Sequence, residues 1–191
     1  MIKCLIGLEI PDSGTIEIMS QKLEHLSLKA LDEIRADIGF LFQGSALYDS
    51  MTVRENLEFP LRRHISKFGN VKDTLPLVEE ALQNVGLKNV IDLMPNELSG
   101  GMKRRVALAR TLILKPKIII YDEPTTGLDP ITSKEIILLM KSVQEKYKTS
   151  SIIITHDVDC ARVIANRMIL LIDGKNYAEG TFAELSTSQD P

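Results

Sequence analysis

Two adjacent carboxylates, Asp122 and Glu123, directly follow the apolar run at residues 118–121. An apolar strand that ends in carboxylates places them at the carboxyl edge of a parallel sheet, where α/β proteins bind ligands. Successive side chains of a strand point in opposite directions, so the two carboxylates are predicted to have different roles. Asp122 suits a hard Mg²⁺ ion, and Glu123 suits a general base for a water that attacks a phosphate. A solvated strand end explains the pair equally well.

The second chemical signal is the group Ser99, Gly100 and Gly101 at the beginning of a predicted helix. Free backbone N–H groups and the helix dipole make such a start an anion site suited to a phosphate. A serine N-cap followed by a flexible turn is the better explanation when these residues are taken alone. His156, which follows the apolar residues 152–155, is likewise better explained as structural when it is taken alone.

Strands alternate with helical patterns along the chain, which predicts an α/β fold with a mainly parallel sheet. The predicted strands lack polar alternation, as is typical of parallel strands covered on both faces, and they are residues 38–42, 118–121 and 152–155. The predicted helices are residues 74–85, 101–114 and 131–146. Residues 15–19 and 168–172 are predicted to form hairpin strands, each beside a turn that contains Asp and Gly.

A polar, mostly helical stretch at about residues 47–96 lies between two predicted parallel strands and is longer than a simple crossover. Its length predicts a helical subdomain inserted into a single domain that spans residues 1–191. The basic run at residues 103–105, which includes Arg104, is expected to form the solvated face of a helix. His25 and His64 have no comparable chemical context and are expected at the surface.

The composition excludes several classes of protein. The 191 residues are 44% hydrophobic and 26% charged, and their net charge of −3 gives no broad basic surface for nucleic acid. The two cysteines, Cys4 and Cys160, lack metal-ligand spacing and do not indicate a disulfide framework. No segment approaches the roughly 20 apolar residues that span a bilayer, so a membrane role is expected to come through a partner.

The order of the short motifs is more specific than any one motif. In chain order they are Gln43 after a strand, residues 98–101 at a helix start, the sequence Asp122-Glu123-Pro124, residues 127–129, and His156 after a strand. This succession resembles the ATP-binding cassette (ABC) family over essentially the whole chain, with its Q-loop, signature motif, Walker B motif, D-loop and H-loop. The fold implied is that of a P-loop NTPase, incomplete at the N-terminus.

The resemblance implies ATP and Mg²⁺ as ligands and gives each matching residue a role. Glu123 would be the general base, His156 would contact the γ-phosphate, and Gln43 would sense Mg²⁺ and the attacking water. Mg²⁺ would be organised by Asp122 together with Gln43. The residues implied in nucleotide binding between two copies of the chain are Ser99, Gly100, Gly101 and Asp129.

Residues 44–62 resemble more narrowly the Mla/Mce branch of bacterial ABC ATPases, which power lipid movement between membranes. Met102 with the basic residues after it, and residues 125–132, fit the same branch. The partners implied are a second ATPase subunit in a homodimer, an integral membrane permease and a periplasmic MCE-type lipid-binding protein. The location implied is the cytoplasmic face of the inner membrane, reached through the permease.

A phosphate-binding loop of the form G-x-x-x-x-G-K-[ST] does not occur in the sequence. Residues 7–14 resemble the turn that follows the helix of this loop in ABC ATPases, so residues 1–8 are predicted to be the remainder of that helix. We therefore expect Met1 to be an internal methionine of a longer protein. We also expect the chain alone to aggregate or to bind ATP poorly, because the missing strand would leave unpaired edges.

Other functions agree less well with the sequence. A non-hydrolysing partner subunit, or an inactive fragment, would only lend residues 99–101 to another ATPase, and the presence of Glu123 and His156 argues against it. An ABC protein of DNA repair would need long coiled-coil heptads, and one of translation would usually have paired cassettes; the sequence has neither. A kinase-like enzyme would need an acceptor site, for which the sequence gives no signal.

Overall fold

Strands and helices alternate along the described chain, which is residues 2–64 and 73–187 of a computed structural model. Its first half contains α1 (Ile2–Leu5), β1 (Glu17–Ile18), β2 (Gln21–Lys22), α2 (Leu28–Ala36), β3 (Ile38–Leu41), α3 (Val53–Arg63) and α4 (Leu75–Asn84). Its second half contains α5 (Gly100–Leu112), β4 (Ile118–Asp122), α6 (Pro130–Tyr147), β5 (Ser150–Ile154), α7 (Val158–Ile164), β6 (Met168–Ile172), β7 (Lys175–Gly180) and α8 (Phe182–Ser186). The predicted α/β alternation is confirmed.

The parallel sheet has the strand order β3-β4-β5, so β4 is its middle strand. Leu41 of β3 lies opposite Tyr121 of β4, and Tyr121 lies opposite Ile153 of β5. This register brings the carboxyl ends of all three strands to one edge of the sheet. All three predicted strands are therefore present, in the parallel arrangement expected.

The three strands are not equally covered, which corrects one prediction. Tyr121 and its β4 neighbours Ile119 and Ile120 are buried, whereas Ile152 of β5 is 40% exposed. Edge position alone does not explain this, because β3 is also at an edge of the sheet and three of its four residues are buried; the face of β5 that carries Ile152 is less covered by other elements. Two hairpins are present, β1–β2 and β6–β7, but the first turns at residues 19–20, so the predicted strand at residues 15–19 is shorter than expected. Residues 169–172 of β6 are exposed.

The core joins the sheet to the helices that carry the predicted site. Side chains of α3, α4, α5, β4 and α6 form one contiguous buried cluster, among them Leu57, Val78, Val106, Ile119 and Met140. Helix α5 packs against α3, α4, β3 and α6, so it is buried over most of its circumference. Val106 and Ala109 of this helix and Ile113 directly after it are all buried.

Helices α3 and α4 lie between β3 and β4 in the sequence, as the polar stretch at residues 47–96 predicted. Because their buried side chains belong to the same cluster as the sheet, the division into a core and an inserted subdomain stays a prediction. Residue 1 and part of the α3–α4 connection lie outside the described residues. Among the residues described, none of the helices has the length and apolar character needed to cross a membrane.

The segment between β3 and α3 is held by Asn56, whose side chain is fully buried. Its Nδ2 donates to the carbonyls of Tyr48, Met51 and Thr52 at 3.0–3.1 Å, and its Oδ1 accepts from the Tyr48 N–H at 2.8 Å. Thr52 also caps α3 and forms a capping box with Glu55. The loop that follows Gln43 is therefore ordered by side chains of α3.

Candidate functional site

The acidic pair lies at the carboxyl end of β4, but only Asp122 belongs to the strand. Glu123 follows with a positive φ of 48°, in the left-handed region that residues with a side chain rarely adopt. Its N–H donates to the Ile154 carbonyl at 2.9 Å, which fixes this conformation against β5. Such a residue costs roughly 1–3 kcal/mol in backbone strain and is typical of functional sites. Strand alternation, from which different roles were predicted for the two carboxylates, therefore does not extend to Glu123.

The Glu123 carboxylate is joined to the end of β5 and to the loop that follows it in sequence. Its Oε2 accepts from Nδ1 of His156 at 2.9 Å and from the Thr126 hydroxyl at 3.0 Å. The Glu123 side chain is 19% exposed, whereas that of His156 is 78% exposed. The structure thus brings together the predicted general base and the predicted phosphate-contacting histidine, and it adds Thr126, which the sequence interpretation missed.

The hydrogen bond between Glu123 and His156 is expected to change the pKa of His156. The hydrogen bond to Glu123, and then the charge of that carboxylate, raise the pKa of His156 above its usual value. Because the folded pKa is raised, the stabilisation is complete below the unfolded pKa of about 6.5 and is lost as pH rises through the folded pKa. An NMR titration of the His156 ring should show the raised pKa, and E123Q should remove most of the increase. An unchanged pKa in E123Q would contradict this pairing.

Ser99 caps the N-terminus of α5, and this end of the helix is exposed to solvent. The Ser99 hydroxyl accepts from the Met102 N–H at 3.2 Å, so Ser99 is the N-cap of α5 as the structural explanation proposed. Ser99 and Gly100 are both exposed. The cap therefore leaves this helix end open to a ligand from outside the chain.

The two glycines of this start have different surroundings. A Cβ on Gly101 would lie 2.6 Å from Cγ2 of Thr132 at the start of α6, whereas a Cβ on Gly100 would meet only Leu128, at 3.6 Å. Gly101 is therefore required for the contact between α5 and α6. At Gly100 the space for a side chain is open apart from this ordinary contact with Leu128.

We expect alanine to separate these two glycines. G101A should lower the free energy of unfolding by about 1–3 kcal/mol, because the new methyl group overlaps Thr132, whose hydroxyl is held by Asp129. G100A should leave stability unchanged or raise it by up to about 1 kcal/mol, because Ala is the better helix former. Urea unfolding of both variants measures the difference. Equal stability of the two variants would show that the close contact at Gly101 does not constrain the fold.

Asp129 is placed at the start of α6, where it acts as the N-cap. Its Oδ1 accepts from the N–H groups of Ile131 at 3.1 Å and Thr132 at 3.0 Å. The hydrogen bond from the Thr132 side chain, followed by the one from its N–H, lowers the pKa of Asp129. The structure thus gives Asp129 a role within its own chain. The bridging role between two copies stays a prediction.

Gln43 lies just beyond β3 with an exposed side chain, and its backbone is held from α5. The guanidinium of Arg104 donates to the carbonyl of Phe42 at 2.8 Å and to that of Gln43. Arg104 is only 4% exposed, so its expected place on a solvated face is wrong. The sequence could have predicted this burial. Ala107 and Leu108, three and four positions after Arg104, are apolar, and residues at this spacing share one face of a helix.

The predicted residues form two groups. Gln43, Asp122, Glu123 and His156 lie at or just beyond the carboxyl ends of the parallel strands, and the other four lie at the starts of α5 and α6. A cleft of about 670 Å³ between the starts of α6 and α7 includes His156, Thr126 and Gly127 in its lining. His25 is exposed as expected, and His64 is half-buried rather than at the open surface.

The chain is similar to known proteins of one family. The profile described as ABC transporter matches residues 1–126. The chain belongs to the ABC transporter family. It is 40% identical over 190 residues to the intermembrane phospholipid transport system ATP-binding protein MlaF of Haemophilus influenzae, covering 100% of this chain and 71% of that protein. It is 37% identical over 180 residues to the methionine import ATP-binding protein MetN of Clostridium tetani, covering 93% of this chain and 55% of that protein.

The ABC fold is also found in the solved structures that resemble the chain. The dimeric structure of a post-hydrolysis state of the ATP-binding cassette MJ0796 bound to ADP and Pi has a TM-score of 0.83 and 34% identity. It covers 94% of this chain, and this chain covers 78% of it. The P-loop NTPase-like ABC fold predicted from the sequence is confirmed. ATP is the nucleotide that ABC ATPases bind and hydrolyse.

Proposed function

We propose that the chain is the ATP-hydrolysing subunit of a bacterial ABC transporter for phospholipid or a related lipid. The observation that carries the hydrolytic part is the 2.9 Å hydrogen bond between Glu123 and His156 at the carboxyl edge of the sheet. A carboxylate held there, only 19% exposed, can accept a proton from a water that attacks a phosphate. The lipid part is supported by the likeness to MlaF, although MetN is nearly as similar.

The residues next to this pair fit a divalent cation. Asp122 supplies a half-buried carboxylate at the end of β4, and Gln43 supplies an amide oxygen beyond β3, the neighbouring strand. Oxygen ligands of this kind, with water and phosphate, are those that Mg²⁺ prefers, and the ion would neutralise phosphate charge. Asp122 and Gln43 therefore have the task of fixing the phosphates relative to Glu123.

The open helix start at Ser99 is proposed to act on the nucleotide of a second copy. Its exposed serine and the unobstructed Gly100 provide N–H groups and the positive end of a helix dipole for the γ-phosphate. Each nucleotide would lie between the strand edge of one copy and this helix start of the other. Asp129, beside Gly101 at the start of α6, would meet the partner close to that seam.

The proposed partners follow from this arrangement. Two ATPase subunits form a homodimer that an integral membrane permease binds, on the cytoplasmic side of the inner membrane. Closure of the dimer around ATP moves the helices between β3 and β4 together and drives the permease, and hydrolysis resets it. A periplasmic MCE-type protein would carry the lipid.

The lipid assignment is tested on the native complex that contains this chain, purified with its permease. ATP hydrolysis is measured in detergent solution with added phospholipid, and separately with methionine, the substrate class named for MetN. The E123Q complex is the control for hydrolysis by contaminants. Stimulation by phospholipid alone is expected. Stimulation by methionine alone would refute the lipid assignment and leave the ATPase assignment intact.

A further inference from the structure

Arg104 is a buried cation whose hydrogen bonds go to backbone oxygens. Besides the carbonyls of Phe42 and Gln43, its guanidinium reaches the carbonyl of Thr126 at 3.4 Å. Within residues 2–64 and 73–187 no carboxylate forms an ion pair with it, and its Nε is buried without a hydrogen-bond partner. Burial lowers the pKa of Arg104.

A charge placed in this way is costly for the fold. Removing a cation from water without a counter-ion carries a penalty that hydrogen bonds to carbonyls offset only in part. An apolar side chain of similar length would avoid the penalty if filling space were the only requirement. The arginine is therefore explained by the hydrogen bonds of its planar guanidinium, which connect two chain segments that an apolar side chain could not connect.

The guanidinium of Arg104 binds the two chain segments on which the proposed reaction depends. One segment contains Gln43 and continues into Ser45 and Ala46, both with positive φ. The other contains Thr126, whose hydroxyl binds the Glu123 carboxylate. Arg104 itself belongs to α5, the helix that begins after Ser99.

Resting on the proposed function, we propose that Arg104 is a positioning residue for ATP hydrolysis. It fixes the backbone of Gln43 relative to Thr126, and through Thr126 relative to Glu123. Because it is attached to α5, it also transmits a displacement of the Gln43 segment to the helix start that meets the nucleotide of the second copy. No part of Arg104 touches the nucleotide.

A second arginine of α5 keeps the same loop attached when Arg104 is replaced. Arg110 donates to the Ser45 carbonyl at 3.1 Å, and its guanidinium lies 5.7 Å from the ring centre of Tyr48. Variants at Arg104 are therefore expected to fold. Their defect should lie in the geometry of residues 42–44 and not in loss of the loop.

The test compares R104Q and R104K with R105Q in the native complex. Arg105 is the adjacent arginine, and it binds the Val85 carbonyl and Glu135, away from the predicted site. We expect R104Q to lower kcat for ATP about tenfold with KM changed less than twofold, because small displacements of catalytic groups are costly. R104K, with one ammonium in place of the guanidinium, should recover part of the loss, and R105Q should keep the wild-type kcat.

Hydrogen–deuterium exchange gives a readout that is independent of turnover. Amides of residues 43–46 should exchange faster in R104Q than in R105Q, while those of α6 stay the same in both. A kcat of R104Q equal to that of R105Q, or a loss of kcat that only follows a loss of thermal stability, would overturn the proposal. If R104Q does not fold, R104K decides: wild-type kcat refutes the proposal, and a reduced kcat at unchanged KM supports it. E123Q, measured in parallel, shows separately whether the proposed hydrolysis itself holds.

Discussion

Replacing Glu123 with Gln is expected to lower ATP hydrolysis by about 10³-fold, because an amide cannot accept the proton of the attacking water. Its oxygen can still accept from Nδ1 of His156 and from the Thr126 hydroxyl, the two contacts that the carboxylate makes. The fold and the ATP-dependent dimer should therefore survive. The variant should accumulate in the nucleotide-bound dimer, since the step that ends this state is blocked.

The measurement is phosphate release by the native protein that contains this chain, with dimer formation followed by light scattering. Glu145→Gln is the matched control, because Glu145 is exposed on α6 and its replacement removes the same charge. We expect the control to hydrolyse ATP at the wild-type rate. Wild-type hydrolysis by E123Q would refute the assignment of the base, whereas loss of the dimer would show that Glu123 has a structural role.

Both hydrogen bonds that the described residues give the Glu123 carboxylate go to Oε2, which leaves Oε1 to accept a proton from an attacking water. One of the two hydrogen bonds comes from an imidazole whose pKa the carboxylate raises. The arrival of a phosphate at His156 would draw the imidazole away from Glu123 and release its oxygen. The pair thus describes a resting arrangement that nucleotide binding would change.

The fold was predicted well because its signals are local. Apolar runs such as residues 118–121 identify buried strands by themselves, and Pro130 after Asp129 marks a helix start. What the local pattern did not contain is the identity of each strand's neighbours. The exposure of Ile152 depends on which elements cover the faces of β5, which is a property of the tertiary structure and not of the strand's own sequence.

The candidate site was predicted less completely, for a related reason. Motif order identified Glu123 and His156, and the structure places them in contact. Arg104 escaped notice because its contacts join residues that are distant in the sequence, such as Arg104 with Phe42. Thr126 is only three residues from Glu123, but its contact depends on the turn after β4, which the sequence pattern did not specify. The left-handed backbone of Glu123 could not be predicted either, because no residue type demands it. It results from the hydrogen bond to the neighbouring strand.

Replacing Ser99 with Asp is expected to abolish hydrolysis while it preserves the fold, which separates the two roles of this position. Asp is as good an N-cap as Ser, and a negative charge at a helix N-terminus is favourable. Thermal stability should therefore be unchanged or slightly higher. A carboxylate about 4 Å from a phosphate charge costs about 4 kcal/mol at an effective dielectric constant of about 20, which corresponds to roughly a 10³-fold loss.

Ser99→Asn is the matched control, because Asn is an equally good N-cap of the same shape as Asp and carries no charge. We expect S99N to hydrolyse ATP at least tenfold faster than S99D while both unfold at similar temperatures. Mixing S99D with E123Q subunits extends the test to the second copy. A mixed dimer has one nucleotide between the intact helix start and the intact Glu123, so part of the activity should return. Equal hydrolysis by S99D and S99N would instead mean that this helix start never meets a phosphate, because a charge difference of one unit would then leave the nucleotide unaffected.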